Sequence, residues 1–186
     1  MERNSQSSNP NPRLFFGVAV SVVLADAFTK IMAVDRLMPT RLPRDVIGET
    51  VRLTLVFNPG AAFGLHLGPY SRWIFTALTI GALVLLWELY RTTRAGDHIR
   101  TLALALVCGG AIGNLVDRLK SGRGVVDFID VGVGSMRWPT FNVADMAVSC
   151  GAVLLAIVLW KEDTAAAAIA APAAVTASGS DAAVQG

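Results

Sequence analysis

The sequence predicts an all-α membrane protein with four transmembrane helices and a small β element between the first and second. Three observations carry that prediction. Charged residues make up 16% of the 186-residue chain and hydrophobic residues 53%, whereas a soluble domain carries about a quarter of its residues charged. The mean hydropathy is +0.53. The apolar residues also gather in four runs, each close to the roughly 20 residues that a helix needs to cross a bilayer.

The runs divide the chain simply. Residues 1–13, MERNSQSSNPNPR, are polar and carry no cleavable signal pattern before the first apolar run. The first run is LFFGVAVSVVLADAFTKIMAV, 14–34, and a long loop follows. In its middle, ETVRLTLVF alternates Val51, Leu53, Leu55 and Phe57 against other side chains, a strand pattern that Asn58-Pro59-Gly60 ends as a turn. The second run, WIFTALTIGALVLLWELY, covers 73–90, and the short RTTRAGDH leads into the third, IRTLALALVCGGAIGNLV, 99–116. A second loop of about 118–141 precedes the fourth, VADMAVSCGAVLLAIVLW, 143–160. The tail 161–186 is mostly alanine, is interrupted by Pro172 and reads as disordered. One membrane domain, 14–160, thus lies between a polar N-terminus and a low-complexity tail.

An even number of spans puts both termini on one side and both long loops on the other. Charge does not choose the side. Arg91, Arg94 and Arg100 mark the short connection as cytoplasmic, but Arg36, Arg41, Arg44 and Arg52 crowd the first long loop.

Several functions drop out. A net charge of +2 is too small to argue for nucleic acid. The two cysteines, Cys108 and Cys150, are far apart in apolar runs, and the two histidines, His66 and His98, make no zinc motif. No metal-ligand cluster or cofactor motif appears. A serine–histidine pair is badly served, because His66 lies in a loop and His98 at the far end of the third helix. A serine–lysine pair would have to take Lys30 from Asp26. The GxGD motif of presenilin-type proteases is absent, since GVGS at 132–135 lacks the aspartate.

The ionisable residues in and beside the spans carry the rest, because each costs several kcal/mol in lipid unless it is paired or faces a cavity. Asp26 and Lys30, four residues apart, share one helix face and can neutralise each other. Gly109 and Gly113 form a GxxxG packing step. Asn114, Asp117 and Arg118 follow, and Asp117 beside Arg118 reads as an interfacial ion pair or as part of a site. GVVDFID supplies Asp127 and Asp130 on a short strand or turn. FNVADMAV supplies Asp145, either as the N3 residue of a helix capped by Asn142 or as half of a chemical site. Two carboxyls held together share one proton, so one can activate water while the other protonates the substrate. The residues alone leave Asp117, Asp127 and Asp130 as alternative partners for Asp145.

Taken together, these motifs resemble the bacterial lipoprotein signal peptidase (signal peptidase II) family. The resemblance runs over about 14–160 through Asp26…Lys30, FNPGAAFG at 57–64, GGAIGNLVDRL at 109–119, VVDFID at 125–130 and FNVADMAV at 141–148. In the fourth-span motif it departs at Val143, where the family usually has leucine, and it does not cover the tail after Lys161. It implies a catalytic pair of Asp127 and Asp145, with Asn58, Gly60, Asn114, Arg118 and Asn142 along the substrate. Asp26, Lys30, Asp117 and Ala144 would be structural support. It further implies an enzyme of the bacterial cytoplasmic membrane with both termini inside, and a small extracytoplasmic β-sheet cradle near the active site. The implied substrates are diacylglyceryl-modified prolipoproteins, cut before the lipidated cysteine. No metal or cofactor is implied. Membrane lipid would be a contact, globomycin-type inhibitors are expected to bind, and a monomer is the simplest state. A small ion- or proton-coupled transporter would instead use the carboxylates as relay sites near mid-bilayer, usually with an internal repeat. A non-catalytic lipoprotein-binding relative would lack one of the two aspartates.

Overall fold

The computed structural model describes residues 10–60 and 68–170, with the backbone alone for 168–170. Among these residues, four helices are long and apolar enough to cross a membrane. They are α1 (Pro12–Leu37), α2 (Ser71–Arg91), α3 (His98–Lys120) and α4 (Val143–Ala170). Each expected span lies inside its helix. Helix α1 starts where Asn11 accepts the Leu14 N–H at 3.1 Å and a proline follows in the first turn, so one orphan donor is satisfied and another is absent. Asp97 caps α3 in the same way, through Arg100 N–H at 3.0 Å.

Helix α4 runs past Trp160, so the first residues of the tail expected to be disordered are helical. The expectations for residues 1–9 and 171–186 lie outside the described residues, as do those for Ala61–Gly64 and His66.

Helix α3 is the central element. Half of its spanning window is buried, against 22% in α1 and 11% in α2 and in α4. It packs against all three others, and small residues set how closely. A side chain on Gly109 would stand 2.9 Å from the Ala19 carbonyl oxygen of α1. One on Gly110 would run into the Ala144 carbonyl of α4. Only glycine lets the backbones meet there. The outward faces carry Leu24, Phe28 and Ile31 on α1, Leu78 and Leu85 on α2, and Val153 and Ile157 on α4, all exposed and apolar. That is the surface a hydrocarbon solvent calls for.

The β element is a four-stranded antiparallel sheet ordered β1 (Arg44–Ile47), β2 (Val51–Asn58), β3 (Val125–Val133) and β4 (Met136–Arg137). Its first two strands come from the loop expected to hold it. The other two come from the loop between α3 and α4, so the sheet is not confined to the α1–α2 connection. Pairing β2 with VVDFID satisfies backbone groups that a lone strand would leave open. The register sets Val56 opposite Asp127 and Phe57 opposite Val126. Beneath the sheet, Val126, Phe128 and Leu55 join Ala33 and Leu37 of α1 in one buried cluster. This cluster fixes the sheet to one end of the bundle.

Candidate active site

Alternation along β3 decides where Asp127 goes. Val126 and Phe128 enter the core, so Asp127 between them is turned to the opposite face. There it lines an open cleft of about 770 Å³ together with Val125, Asn58, Asn114, Arg118 and Asp145. Phe57, Trp138, Phe141 and Met146 give the cleft apolar walls.

Asp127 is 3% exposed. Its Oδ1 accepts from Asn142 Nδ2 at 2.7 Å and its Oδ2 from Asn58 Nδ2 at 3.1 Å. Burial, and after it the nearby Asp145 carboxylate, push its carboxyl up to about 7. The two asparagine donors and the charge of Lys30 oppose that rise without cancelling it.

Asp145 occupies the first turn of α4. Its N–H donates to Asn142 Oδ1 at 2.9 Å, and its Oδ2 accepts the Asn142 N–H at 3.2 Å. This is a reciprocal capping box with Asn142 as N-cap and Asp145 as N3. Its other oxygen, Oδ1, accepts from Asn114 Nδ2 at 2.7 Å. The capping reading of Asp145 holds, and the same carboxylate also faces the cleft.

The residues expected to give structural support, Asp26, Lys30, Asp117 and Ala144, join in one network, buried except at the partly exposed Asp117. Lys30 Nζ lies 2.7 Å from Asp26 and 2.8 Å from Asp117, and it donates to Asn114 Oδ1 at 2.9 Å. Asp26 also accepts the Ala144 N–H at 2.9 Å, so α1 helps cap α4. Asp117 accepts the Val126 N–H at 3.1 Å. Lys30, not Arg118, is thus the salt-bridge partner of Asp117, because the Asp117 side chain turns inward from the helix end. Arg118 lines the cleft and donates to Gly60 O at 3.3 Å and Asn114 O at 3.4 Å, while its buried Nε has no partner among the described residues. Gly60 N–H in turn donates to Asn58 Oδ1 at 3.0 Å.

Of the three alternative partners for Asp145, Asp117 is held by Lys30. Asp130 is held 2.8 Å from Arg137 and accepts from Thr54 at 3.0 Å, out on the sheet. Only Asp127 shares the cleft with Asp145. The aromatic walls were not singled out from the sequence. Trp138, Pro139 and Phe141 had a weak signal, as bulky residues packed into the few positions before the α4 cap.

Comparison with known proteins agrees with this architecture. The signal peptidase (SPase) II family model matches residues 18–161. A lipoprotein signal peptidase of Cupriavidus necator is 42% identical over 159 residues, 83% of this chain and 87% of that protein. One from Burkholderia mallei is 41% identical over 153 residues, 81% of this chain and 90% of that protein. A bacterial membrane enzyme solved by the in meso method superposes with a TM-score of 0.74 at 30% identity, covering 84% of this chain and 93% of that one. A second such structure gives 0.71, also at 30% identity, over 82% and 96%. On the family match and these relatives, the chain belongs to the signal peptidase II family.

Proposed function

We propose that the protein is an intramembrane aspartic endopeptidase that removes signal peptides from prolipoproteins by cutting on the N-terminal side of a diacylglyceryl-modified cysteine. Family membership and the names of the relatives support the substrate class. One observation carries the mechanism: Asn142 binds both Asp127 and Asp145, and both carboxyls line one cleft.

In this mechanism Asp145 is the general base and Asp127 the general acid. Asp127 holds the shared proton because its site disfavours the charge. Asp145 takes a proton from water as the water oxygen bonds to the scissile carbonyl carbon, and Asp127 protonates the carbonyl oxygen. In the second step Asp145 gives its proton to the leaving amine as the C–N bond breaks. Asp127 recovers a proton from the collapsing diol, and the starting states return. Asn58 lines the cleft where the extended substrate lies, with Gly60 bracing it, and Arg118 Nε offers a donor to a substrate carbonyl. Asn142, expected along the substrate, is fully buried and acts instead by holding both carboxyls. Asn114 orients Asp145.

The reading puts the protein in the bacterial cytoplasmic (inner) membrane with both termini inside and the cleft near the outer face. The acyl chains then stay in hydrocarbon, against walls such as Phe141 and Met146, while the peptide bond reaches water. Globomycin-type peptides would occupy the same cleft, and a single chain supplies every proposed site residue.

The test is cleavage of a diacylglyceryl-modified prolipoprotein by wild type, Asp127→Asn and Asp145→Asn, each verified as folded. Loss of turnover in both variants supports the dyad. Near-normal turnover in either removes that residue from it, and an inactive wild type removes the activity altogether.

A further inference from the structure

Lys30 stands outside the cleft, yet it touches the residue that orients both aspartates. Its side chain is 5% exposed. An ammonium has three donors, and here three acceptors meet it: Asp26 Oδ2 at 2.7 Å, Asp117 Oδ2 at 2.8 Å and Asn114 Oδ1 at 2.9 Å. The third contact has a consequence for chemistry. Because Lys30 can only donate, the Asn114 oxygen must face it, and the Asn114 NH2 then faces Asp145 Oδ1 at 2.7 Å. Turning the amide over would set donor against donor at Lys30 and acceptor against acceptor at Asp145. The same Asn114 oxygen accepts Asn142 Nδ2 at 3.1 Å, the group that also donates to Asp127 at 2.7 Å. One oxygen, anchored by Lys30, therefore orients the donors of both carboxyls.

We propose that Lys30 is a positioning residue of the dyad: by locking the Asn114 amide, it presents a short donor to Asp145 and, through Asn142, to Asp127. This rests on the reading of Asp127 and Asp145 as the catalytic pair. A mere ion pair with Asp26 would need no contact with Asn114. The charged groups facing Lys30 are Asp26 on α1 and Asp117 on α3 in direct ion pairs, Asp127 on β3 within reach of its charge, and Asp145 on α4 through Asn114. Arg118 on α3 acts on the three aspartates Asp117, Asp127 and Asp145. The charge of Lys30 opposes the rise of the Asp127 carboxyl.

The experiment uses full-length protein in nanodiscs and follows kcat and KM for a diacylglyceryl prolipopeptide between about pH 5 and 9. Lys30→Gln alone would leave the buried Asp26 and the partly buried Asp117 without their cation, so the double variant Asp26→Asn/Lys30→Gln keeps the local net charge. It is expected to lose roughly tenfold to a hundredfold in kcat with little change in KM. Its alkaline midpoint should move up, because the Lys30 charge acts on Asp127 and the Asp26 charge removed with it is not among those that do. The second variant, the isosteric Asn114→Asp, keeps the Lys30 contact but turns a second carboxylate on Asp145. Its activity should recover only toward low pH. Wild-type midpoints in a folded double variant, or a wild-type profile in Asn114→Asp, overturn the proposal. Full activity of Asp127→Asn or Asp145→Asn would instead overturn the dyad reading on which it rests.

Discussion

Asn142 and Asp145 cap each other across the first turn of α4, through bonds of 2.9 and 3.2 Å. The Asn142 NH2, left free by this arrangement, reaches across to Asp127 at 2.7 Å. One side chain thus starts the helix and holds Asp127, which couples folding of α4 to assembly of the cleft. The two tasks are separable. Serine can cap a helix but has no second arm. Asn142→Ser should keep the cap while losing the hydrogen bond to the protonated Asp127, worth about 0.5–1.5 kcal/mol. That corresponds to roughly a twofold to tenfold fall in kcat/KM. Thermal melting and turnover of the purified variant, measured together, check it; parallel losses would mean the cap and the acid contact do not separate.

The titration of Asp127 predicts a pH profile. Its carboxyl, pushed up to about 7, is protonated below that value and ionised above it. A general acid is active only while it holds its proton. The kcat/KM profile should therefore fall on the alkaline side with a midpoint near 7, reported as a property of the coupled pair. A flat profile up to pH 9 would contradict the assignment of Asp127 as the acid.

The same shift has a consequence for stability. The folded-state value of about 7 lies above the ordinary value of 3.8 for an aspartate. Between those two values the folded protein keeps a proton that the unfolded chain has released, so the contribution of Asp127 to stability is full below about pH 4 and declines as pH rises to about 7. The gap between those two values corresponds to something on the order of 4 kcal/mol. Melting temperatures from pH 5 to 8 should decline in wild type, and Asp127→Asn should flatten that decline.

Gly110 and Gly81 make a matched pair of helix glycines. A Cβ on Gly110 would collide with the Ala144 carbonyl, whereas one on Gly81 has nothing within 4 Å. Gly110→Ala should destabilise by about 1–3 kcal/mol and reduce activity, because Ala144 adjoins Asp145. Gly81→Ala should be neutral, or stabilising by up to about 1 kcal/mol. Equal melting temperatures for the two variants would show that α3 and α4 do not meet as closely as described.

Asp130 serves the sheet. It holds Arg137 at 2.8 Å, and Arg137 reaches on to the Glu49 carbonyl at 2.7 Å. Asp130→Asn should cost about 1–3 kcal/mol of stability and leave the midpoints of the pH profile in place. A displaced alkaline limb would mean that Asp130 takes part in the titration of the dyad.

The spans were legible in the sequence because hydrocarbon imposes a local rule: about 20 consecutive apolar residues, whatever their neighbours do. The cap at Asn142 and Asp145 was legible for the same reason, since a capping box joins residues three apart. The strand at Val51–Asn58 announced itself by alternation, but its partner did not. Pairing with Val125–Val133 joins residues about seventy positions apart, and no local pattern states a register. The choice of partner for Asp145 was equally non-local. Asp117, Asp127 and Asp130 look alike as letters beside apolar residues. Only packing separates them, through Lys30 taking Asp117, Arg137 taking Asp130 and the pleat of β3 turning Asp127 into the cleft. The sequence by itself determined the solvent, the number of spans and the helix start. The tertiary structure decided which charges meet, because a charge is costly in the buried interior unless paired, and its partners come from elements far away along the chain.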